Sequence, residues 1–208
     1  MQIPDDWQAP ADYLQQRVIL ITGAGSGIGA AVAVACARHG ATVILLDKIV
    51  RNLEQVYDAI EASGGPQAAI YPMNLEGAAE KDYLDLAATL ETEFGRLDGL
   101  VLNAGILGDR FSIEQYDPAQ WQQVMHVNVT SAFALVQVCL PLLQESADPS
   151  VIFTSSGVGR QGKAFWGAYA VSKFATEGLS QVLADEHRHG QLRANCINPG
   201  ATRTNMRL

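Results

Sequence analysis

The chain has few of the features that mark secreted, membrane-spanning or metal-binding proteins. Its three cysteines lie in apolar stretches and no two have metal-ligand spacing, which favours buried reduced thiols over disulfides or a metal site. No apolar run approaches the roughly 18–20 residues that span a bilayer. Residues 1–16 contain three aspartates and no apolar core like that of a secretory signal. We therefore expect a cytoplasmic protein with no membrane segment and no bound metal.

Positive charge is also scarce. The 14 lysines and arginines are outnumbered by 22 aspartates and glutamates, and the formal net charge is −8. Nucleic-acid binding requires clustered cations that neutralise phosphates, so this balance argues against a nucleic-acid partner. At 208 residues the chain can bury one substantial core, and no Pro-rich, Ser-rich or single-charge run marks a linker. We predict a single domain over residues 1–208.

Short apolar runs alternate with helical patterns along almost the whole chain. Most of the runs are continuously apolar, which is typical of strands buried on both faces of a parallel sheet. The predicted strands cover residues 18–21, 42–46, 68–71, 100–102, 151–153 and 194–197. The predicted helices cover residues 27–39, 50–62, 78–94, 118–143 and 168–187, and Gly40 is expected to cap the first of them in the left-handed conformation.

This alternation predicts an α/β fold with a doubly wound, Rossmann-like parallel sheet. Repeated strand–helix–strand units place helices on both faces of such a sheet, which gives three layers, α/β/α. The expected strand order is 3-2-1-4-5-6.

A glycine-rich segment links the first predicted strand to the first predicted helix. Gly23 would permit the tight turn, Gly27 would let the backbone approach a pyrophosphate, and Gly29 would let the helix pack close to the sheet. The spacing Gly-x-x-x-Gly-x-Gly departs from the Gly-x-Gly-x-x-Gly fingerprint, so a glycine turn without a ligand is the alternative. The candidate phosphate loop comprises Gly23, Gly25, Ser26, Gly27, Ile28 and Gly29.

Asp47 ends the second predicted strand, twenty positions after Gly27. A carboxylate there can accept hydrogen bonds from the adenosine ribose and would repel a 2′-phosphate, which favours NAD. Lys48 follows directly, and its ammonium could instead attract the additional phosphate of NADP. The sequence therefore favours NAD, with NADP second, while a simple strand-end turn is the alternative reading of Asp47.

Tyr169 and Lys173 are four residues apart on a predicted helix and so lie on one face of it. A tyrosine has a pKa near 10, and using it at neutral pH requires about 4 kcal/mol of phenolate stabilisation. One cation at about 4 Å, in an effective dielectric near 20, supplies about that much. Ser156 follows the fifth predicted strand and could polarise a carbonyl, although Ser155 is chemically equivalent. The trio predicts a proton-transfer site.

Taken in order, these motifs resemble those of the short-chain dehydrogenase/reductase family over nearly the whole chain. The residues from Thr22 to Gly29 resemble the family's cofactor loop, and Ser156, Tyr169 and Lys173 its catalytic set. Three further segments match as well: Asn103, Ala104 and Gly105 after the fourth strand, Asn128 within His126 to Val129, and Pro199, Gly200, Ala201 and Thr202 beside the nicotinamide.

The resemblance implies an oxidoreductase that interconverts an alcohol and a carbonyl with NAD or NADP. It assigns general acid/base catalysis to Tyr169, orientation of the substrate oxygen to Ser156 rather than Ser155, and ribose binding and a lowered tyrosine pKa to Lys173. Asn128 would hold a water in the proton relay. The implied cofactor contacts include Asn74, Leu75, Asn103, Ala104, Gly105, Pro199, Gly200 and Thr202.

The chain departs from the family pattern in two places. Asn74 stands where the family often has an aspartate that meets adenine, and an amide can still donate and accept hydrogen bonds. Family members usually continue beyond the Pro-Gly segment into a substrate lid, a further helix and a seventh strand, which are absent up to Leu208. Either the sequence omits a carboxyl-terminal end or the protein is a shortened form.

The resemblance also implies a homodimer or homotetramer, with the helices at residues 118–143 and 168–187 as the interface. A non-catalytic dinucleotide sensor is the alternative function, favoured by the missing lid but not by the complete catalytic set. Side chains that could meet the small-molecule substrate are Phe165 and Trp166 as an apolar wall, and Arg110, Arg160, Lys163, Arg203 and Arg207 as cations.

Overall fold

The structure is a computed structural model that describes residues 8–202. Six strands alternate with six α-helices. The strands are β1 (Val18–Thr22), β2 (Thr42–Asp47), β3 (Ala69–Pro72), β4 (Gly99–Leu102), β5 (Ser150–Thr154) and β6 (Arg193–Ile197). The helices are α1 (Gly27–Arg38), α2 (Val50–Ala62), α3 (Glu80–Phe94), α4 (Pro118–Met125), α5 (Ser131–Gln144) and α6 (Gly167–Glu186). Short 3-10 turns lie at Ile113–Gln115 and Gly157–Gly159.

All six strands form one parallel sheet in the order β3-β2-β1-β4-β5-β6, which confirms the predicted fold class and strand order. Leu20 in β1 is flanked by Ile44 of β2 on one side and Leu100 of β4 on the other. Because the order reverses at β1 and β4, their carboxyl ends border the crevice in which ligands of doubly wound sheets bind.

The two faces of the sheet bury separate cores, as a three-layer fold requires. Side chains of β1 alternate between them: Leu20 packs with the α3, α5 and α6 side, while Ile21 packs with α1 and α2. β1 and β4 are buried along their whole length. β6 is more exposed than a doubly covered strand, since within residues 8–202 its main contacts are with β5 and α6.

Asp98 fixes the amino ends of β1 and β4 to each other. Its carboxylate accepts hydrogen bonds from the Val18 backbone at 2.9 Å and the Ser146 hydroxyl at 2.6 Å. Burial alone would raise the pKa of Asp98, but these bonds, with the nearby Arg96, lower it below its ordinary value. The carboxylate therefore stays charged and holds the two central strands in register.

The predicted helix at residues 118–143 is not one regular α-helix. A π-helical turn at His126–Thr130 separates α4 from α5, and the Ser131 hydroxyl donates to the Val127 carbonyl at 2.6 Å. A single wide turn leaves the apolar periodicity unchanged, so it could not be predicted from the sequence. The remaining predicted strands and helices agree with the structure to within two residues at each end.

The 27-residue stretch Pro118–Gln144 is long and apolar enough, by composition, to cross a membrane. Its mean hydropathy is 1.5 over an 18-residue window, although polar side chains interrupt every strictly apolar run. Half of that window is buried inside the protein, and α5 packs against α3 and β4. These contacts with α3 and β4 are typical of a helix that packs on the protein core.

Candidate active site

One large cleft opens at the carboxyl edge of the sheet, and most of the predicted site residues line it. They are Gly23, Ser26, Gly27, Ile28, Asp47, Lys48, Asn74, Leu75, Asn103, Ala104, Gly105, Ser156, Tyr169, Lys173, Pro199, Gly200 and Thr202. Gly25, Gly29 and Asn128 were also predicted, but lie behind this lining. The structure thus brings the candidate phosphate loop and the candidate proton-transfer residues into one cavity.

Thr22, which the sequence analysis treated only as the start of the loop, joins the two central strands at the base of the cleft. Its hydroxyl accepts hydrogen bonds from the backbone amides of Asn103 and Ala104, both at 3.0 Å, and donates to the Val101 carbonyl at 3.3 Å. The side-chain amide of Asn103 donates a further hydrogen bond to the Thr22 carbonyl at 3.2 Å. These bonds fix the loop after β1 against the loop after β4.

The phosphate loop needs glycine for two separate reasons. Gly23 and Gly27 have φ angles of 65° and 54°, in the left-handed region that suits glycine. A Cβ on Gly29 would lie 2.1 Å from the Gly23 carbonyl oxygen, so α1 could not start so close to the turn with any larger residue. The first turn of α1 contains no acidic residue, which leaves its amides and positive dipole end suited to an anion.

Asp47 stands on the wall of the cleft and is held there by backbone amides. One carboxylate oxygen accepts from Gly25 and the other from Ile49, each at 3.2 Å. A carboxylate has about four acceptor positions, so two remain for further donors such as ribose hydroxyls. Asp47 is therefore more than a turn residue, because it also positions the glycine loop.

Tyr169 and Lys173 lie on the same face of α6, as their spacing predicted. The Lys173 ammonium is 5.6 Å from the centre of the Tyr169 ring and donates a hydrogen bond to the Thr154 carbonyl at 2.7 Å. Ser156 faces the same cleft from the end of β5 and starts the 3-10 turn. Three groups able to handle protons therefore converge at the cleft.

Burial lowers the pKa of Lys173 to about 8. Its side chain is almost inaccessible, and taking an ammonium out of water penalises the charged form. At neutral pH the lysine is still mostly protonated, so a cation does stand beside Tyr169.

The side chain of Asn128 bridges two parts of the site instead of lining the cleft. Its oxygen accepts from the Ile106 amide at 2.8 Å, and its nitrogen donates to the Ile106 carbonyl at 2.9 Å and to the Ser172 hydroxyl at 3.0 Å. Both amide hydrogens are therefore used. The π-helical turn places this residue next to a small internal cavity that also touches Thr154 and Lys173.

The hydroxyls of Thr154 and Ser155 are buried beside Lys173, and the Thr154 hydroxyl has no hydrogen-bond partner among the residues that the structure describes. Ser155 points into the protein close to Gly159, where a Cβ would approach its oxygen to 2.9 Å. Ser156, by contrast, is half-exposed at the cleft. The two serines are chemically equivalent in the sequence, and the structure distinguishes them by their burial.

The predicted apolar wall is only partly next to the site. Trp166 packs against Tyr169 with ring centres 6.0 Å apart, and Arg110 lies over Trp166 at 4.6 Å. Phe165 is 57% exposed and has a left-handed φ of 67°. Of the predicted cations, Arg160 is paired with Glu177, and Arg203 and Arg207 lie outside the described residues.

Several cleft residues were missed by sequence reasoning. Met73, Glu76, Ile106, Val127 and Asn198 line the cleft without belonging to a recognisable motif. Glu76 could have been suspected because it follows Asn74 and Leu75, while the others are ordinary apolar or loop residues. Within residues 8–202, no group of three or more potential metal ligands is found.

A doubly wound sheet with a glycine loop and a Ser–Tyr–Lys group in one cleft defines a class of dinucleotide-dependent oxidoreductases. The chain belongs to the short-chain dehydrogenase family, whose family model matches residues 17–208. Enzymes of this class use a nicotinamide dinucleotide, and the chain is accordingly a nicotinamide-dependent oxidoreductase.

Individual relatives agree with this assignment. The uncharacterized oxidoreductase YciK of Escherichia coli K12 is 49% identical over 201 residues, which cover 97% of this chain and 79% of that protein. A solved Pseudomonas syringae structure described as a short chain dehydrogenase is 55% identical with a TM-score of 0.95, over 97% of this chain and 82% of that one. A Shigella flexneri 2a short chain dehydrogenase complexed with NADP is 49% identical with a TM-score of 0.92, over 95% and 82%.

Replacing Gly29 with alanine tests the geometry of the loop. The new Cβ would lie 2.1 Å from the Gly23 carbonyl oxygen, so the turn must move away from the start of α1. We expect Gly29→Ala to weaken binding of NADH and NADPH at least about tenfold, since one lost backbone hydrogen bond to a phosphate is worth about 1.5–3 kcal/mol. The measurement is a fluorescence titration of the reduced cofactors. Gly162→Ala, where a Cβ meets nothing within 4 Å, is the control, and unchanged affinity in Gly29→Ala would contradict the assignment.

The low pKa of Lys173 predicts a change in stability at alkaline pH. Between about pH 8 and the ordinary pKa of 10.5, the unfolded chain keeps a proton on this lysine that the folded one has lost, so the contribution of Lys173 to the free energy of unfolding rises with pH. The rise should total about 3 kcal/mol. Because burial raises the pKa values of Cys36 and Cys139 and so lowers the stability of both proteins at alkaline pH, the rise should be seen as a growing difference between cofactor-free wild type and Lys173→Met in urea unfolding. Equal slopes in the two proteins would mean that Lys173 titrates normally.

Proposed function

We propose that the protein interconverts an alcohol and a carbonyl compound, with Tyr169 exchanging the proton. The observation that carries the proposal is the convergence of Ser156, Tyr169 and Lys173 on the cleft that also contains the glycine loop. A site that only bound a dinucleotide would not need a buried lysine beside a tyrosine, because burying that cation costs free energy. Nothing in the cleft, as the described residues form it, favours the sensor alternative.

The cleft fits a nicotinamide dinucleotide along its length. The acid-free start of α1 and the left-handed glycines suit the pyrophosphate, and Asp47 has acceptor positions left for the adenosine ribose. Asn74 and Leu75 would flank the adenine, and Pro199, Gly200 and Thr202 would flank the nicotinamide end, close to Tyr169. When bound, the dinucleotide supplies or accepts a hydride at the nicotinamide C4.

In the direction of reduction, the Tyr169 hydroxyl donates its proton to the substrate oxygen while the carbonyl carbon gains the hydride. The Ser156 hydroxyl donates a hydrogen bond to the same oxygen and so orients the carbonyl. Lys173 stabilises the phenolate that remains on Tyr169, and its other ammonium hydrogens would be available to hold the ribose. In the direction of oxidation, each proton moves the opposite way.

Asn128 supports this site through its side chain. By holding the Ile106 backbone at one end and Ser172 at the other, it fixes the loop after β4 to the catalytic face of α6. Both hydrogens of the Asn128 side-chain amide take part in these bonds. A relay water would therefore be held by an oxygen of Asn128 and by Lys173. The adjoining cavity, which touches both residues, has room for such a water.

Two observations bear on the cofactor, and they favour different forms. The carboxylate of Asp47 on the cleft wall favours NAD, because it would repel a 2′-phosphate. The NADP complex of the Shigella flexneri relative and the presence of Lys48 favour NADP. We propose NAD as the preferred cofactor, since the negative charge stands at the ribose position itself, and NADP as the second candidate.

We further propose that residues 1–208 act as a single dinucleotide-binding and catalytic domain that assembles into a homodimer or homotetramer. Exposed apolar side chains support an interface on the two helices named for it, with Phe133 on α5 and Val171, Phe174 and Val182 on α6. Each of these side chains is at least 41% exposed, and covering them would remove apolar surface from water.

The role of Tyr169 predicts a specific kinetic result. Tyr169→Phe removes the proton donor but keeps the ring, so kcat/KM for a carbonyl substrate found by screening should fall about a hundred- to ten-thousand-fold. The dissociation constant of the cofactor should change by less than about twofold. Tyr57→Phe, the same change on α2 outside the cleft lining, is the control. Retained activity in Tyr169→Phe would remove Tyr169 from this role.

The role of Asp47 predicts a change in cofactor preference. Asp47→Asn keeps the size and one acceptor oxygen but removes the negative charge, so NADH should bind about tenfold more weakly, because a charged hydrogen bond to ribose is lost. NADPH should gain relative to NADH. The ratio of the two dissociation constants, measured by calorimetry, is the test. An unchanged ratio would show that another group sets the preference.

A further inference from the structure

Lys48 is not free in the cleft, because Glu76 faces it from the neighbouring loop. The Lys48 ammonium lies 3.7 Å from one carboxylate oxygen of Glu76. The other oxygen accepts a hydrogen bond from the Gln123 amide at 2.5 Å. Lys48 follows β2, Glu76 follows β3 and Gln123 belongs to α4, so three separate elements meet at this rim of the cleft.

The position of this pair matters because it adjoins Asp47. Lys48 and Glu76 both line the cleft, next to the carboxylate that would meet the adenosine ribose. The 2′-phosphate of NADP is attached to that same ribose, so an ammonium following Asp47 is the side chain placed to receive it. A phosphate monoester carries a charge of about −1.5 to −2 at neutral pH. It would have to displace the Glu76 carboxylate from Lys48 or accept it as a close neighbour.

We infer that Glu76 is a specificity-determining residue that disfavours NADP by pairing with Lys48 and so keeping its ammonium from the 2′-phosphate. The inference rests on the proposed function, since it assumes that the adenosine ribose lies against Asp47. With Glu76 present, Asp47, Lys48 and Glu76 sum to one negative charge; without it, they sum to zero. The lysine that the sequence offers as an attractant for NADP is thereby neutralised.

The hydrogen bond from Gln123 holds the Glu76 side chain in one position beside Lys48. The Glu76 backbone amide also donates to the Asn74 side chain at 3.2 Å, which fixes the start of the loop at the adenine end of the cleft. The side chains of Lys48 and Glu76 are 52% and 40% exposed, so salt screens their attraction. Glu76 therefore adjusts the preference, while Asp47 makes the larger contribution.

The test is a set of titrations with NADPH and NADH on the full chain at low ionic strength. Glu76→Gln removes the charge but keeps the size and can still pair with Gln123. We expect it to tighten NADPH binding about fivefold, the size of an exposed charge interaction. NADH binding should change by less than about twofold, because NADH has no 2′-phosphate. The gain for NADPH should shrink as salt is added.

Two further variants separate local from general effects. Glu61→Gln removes the same charge near the far end of α2, outside the cleft lining, and should leave both affinities unchanged. In a Lys48→Gln background, Glu76→Gln should lose most of its effect on NADPH, because there is no longer an ammonium to release. A full effect in that background would overturn the inference, since Glu76 would then act by repulsion alone.

The remaining outcomes are equally decisive. If NADH binds to every variant but Glu76→Gln leaves NADPH binding unchanged, the inference is wrong while the proposed function stands. If neither NADH nor NADPH binds to any variant, the proposed function fails and the inference fails with it. An equal gain from Glu61→Gln and Glu76→Gln would show that net charge alone controls NADPH binding, which also overturns the inference.

Discussion

The parallel pairing of β1 with β4 is the constraint on which the rest of the structure depends. Asp98 fixes the amino ends of the two strands, and the Thr22 hydroxyl joins their carboxyl ends by bonding to Asn103, Ala104 and Val101. Because the strand order reverses at this pair, the loops that follow it diverge and leave a cleft between them. The phosphate loop after β1 and the loop after β4 therefore border the cleft from opposite sides.

The chemistry of the site depends on placing a cation where water cannot reach it. Lys173 loses hydration when α6 packs against β5, and the Thr154 carbonyl returns only part of what is lost, so the pKa of the lysine falls to about 8. Gly159 permits this packing, since a Cβ there would lie 3.0 Å from Lys173. The folded state thus carries an unfavourable group, and in the proposed reaction its benefit appears only when Tyr169 gives up its proton.

Most of the fold, and most of the residues that line the cleft, could be predicted from the sequence. Continuous apolar strands such as Val18–Thr22 are visible as composition, and the i, i+4 spacing of Tyr169 and Lys173 brings them together without any tertiary information. The π-helical turn at His126–Thr130 could not be predicted, because one wide turn leaves the apolar pattern unchanged. The pairing of Lys48 with Glu76 could not be predicted either, because the predicted strand order brings the two loops together but does not determine which side chains meet.

We propose that this cleft binds a nicotinamide dinucleotide, which takes part in hydride transfer. A calorimetric titration of the wild-type chain with NAD, NADH, NADP and NADPH tests it most directly, because it needs no knowledge of the substrate. We expect saturable binding at one site per chain, with NAD and NADH bound more tightly than NADP and NADPH. If none of the four dinucleotides bound, the proposed function would be wrong. Tighter binding of NADP and NADPH than of NAD and NADH would contradict the role given to Asp47.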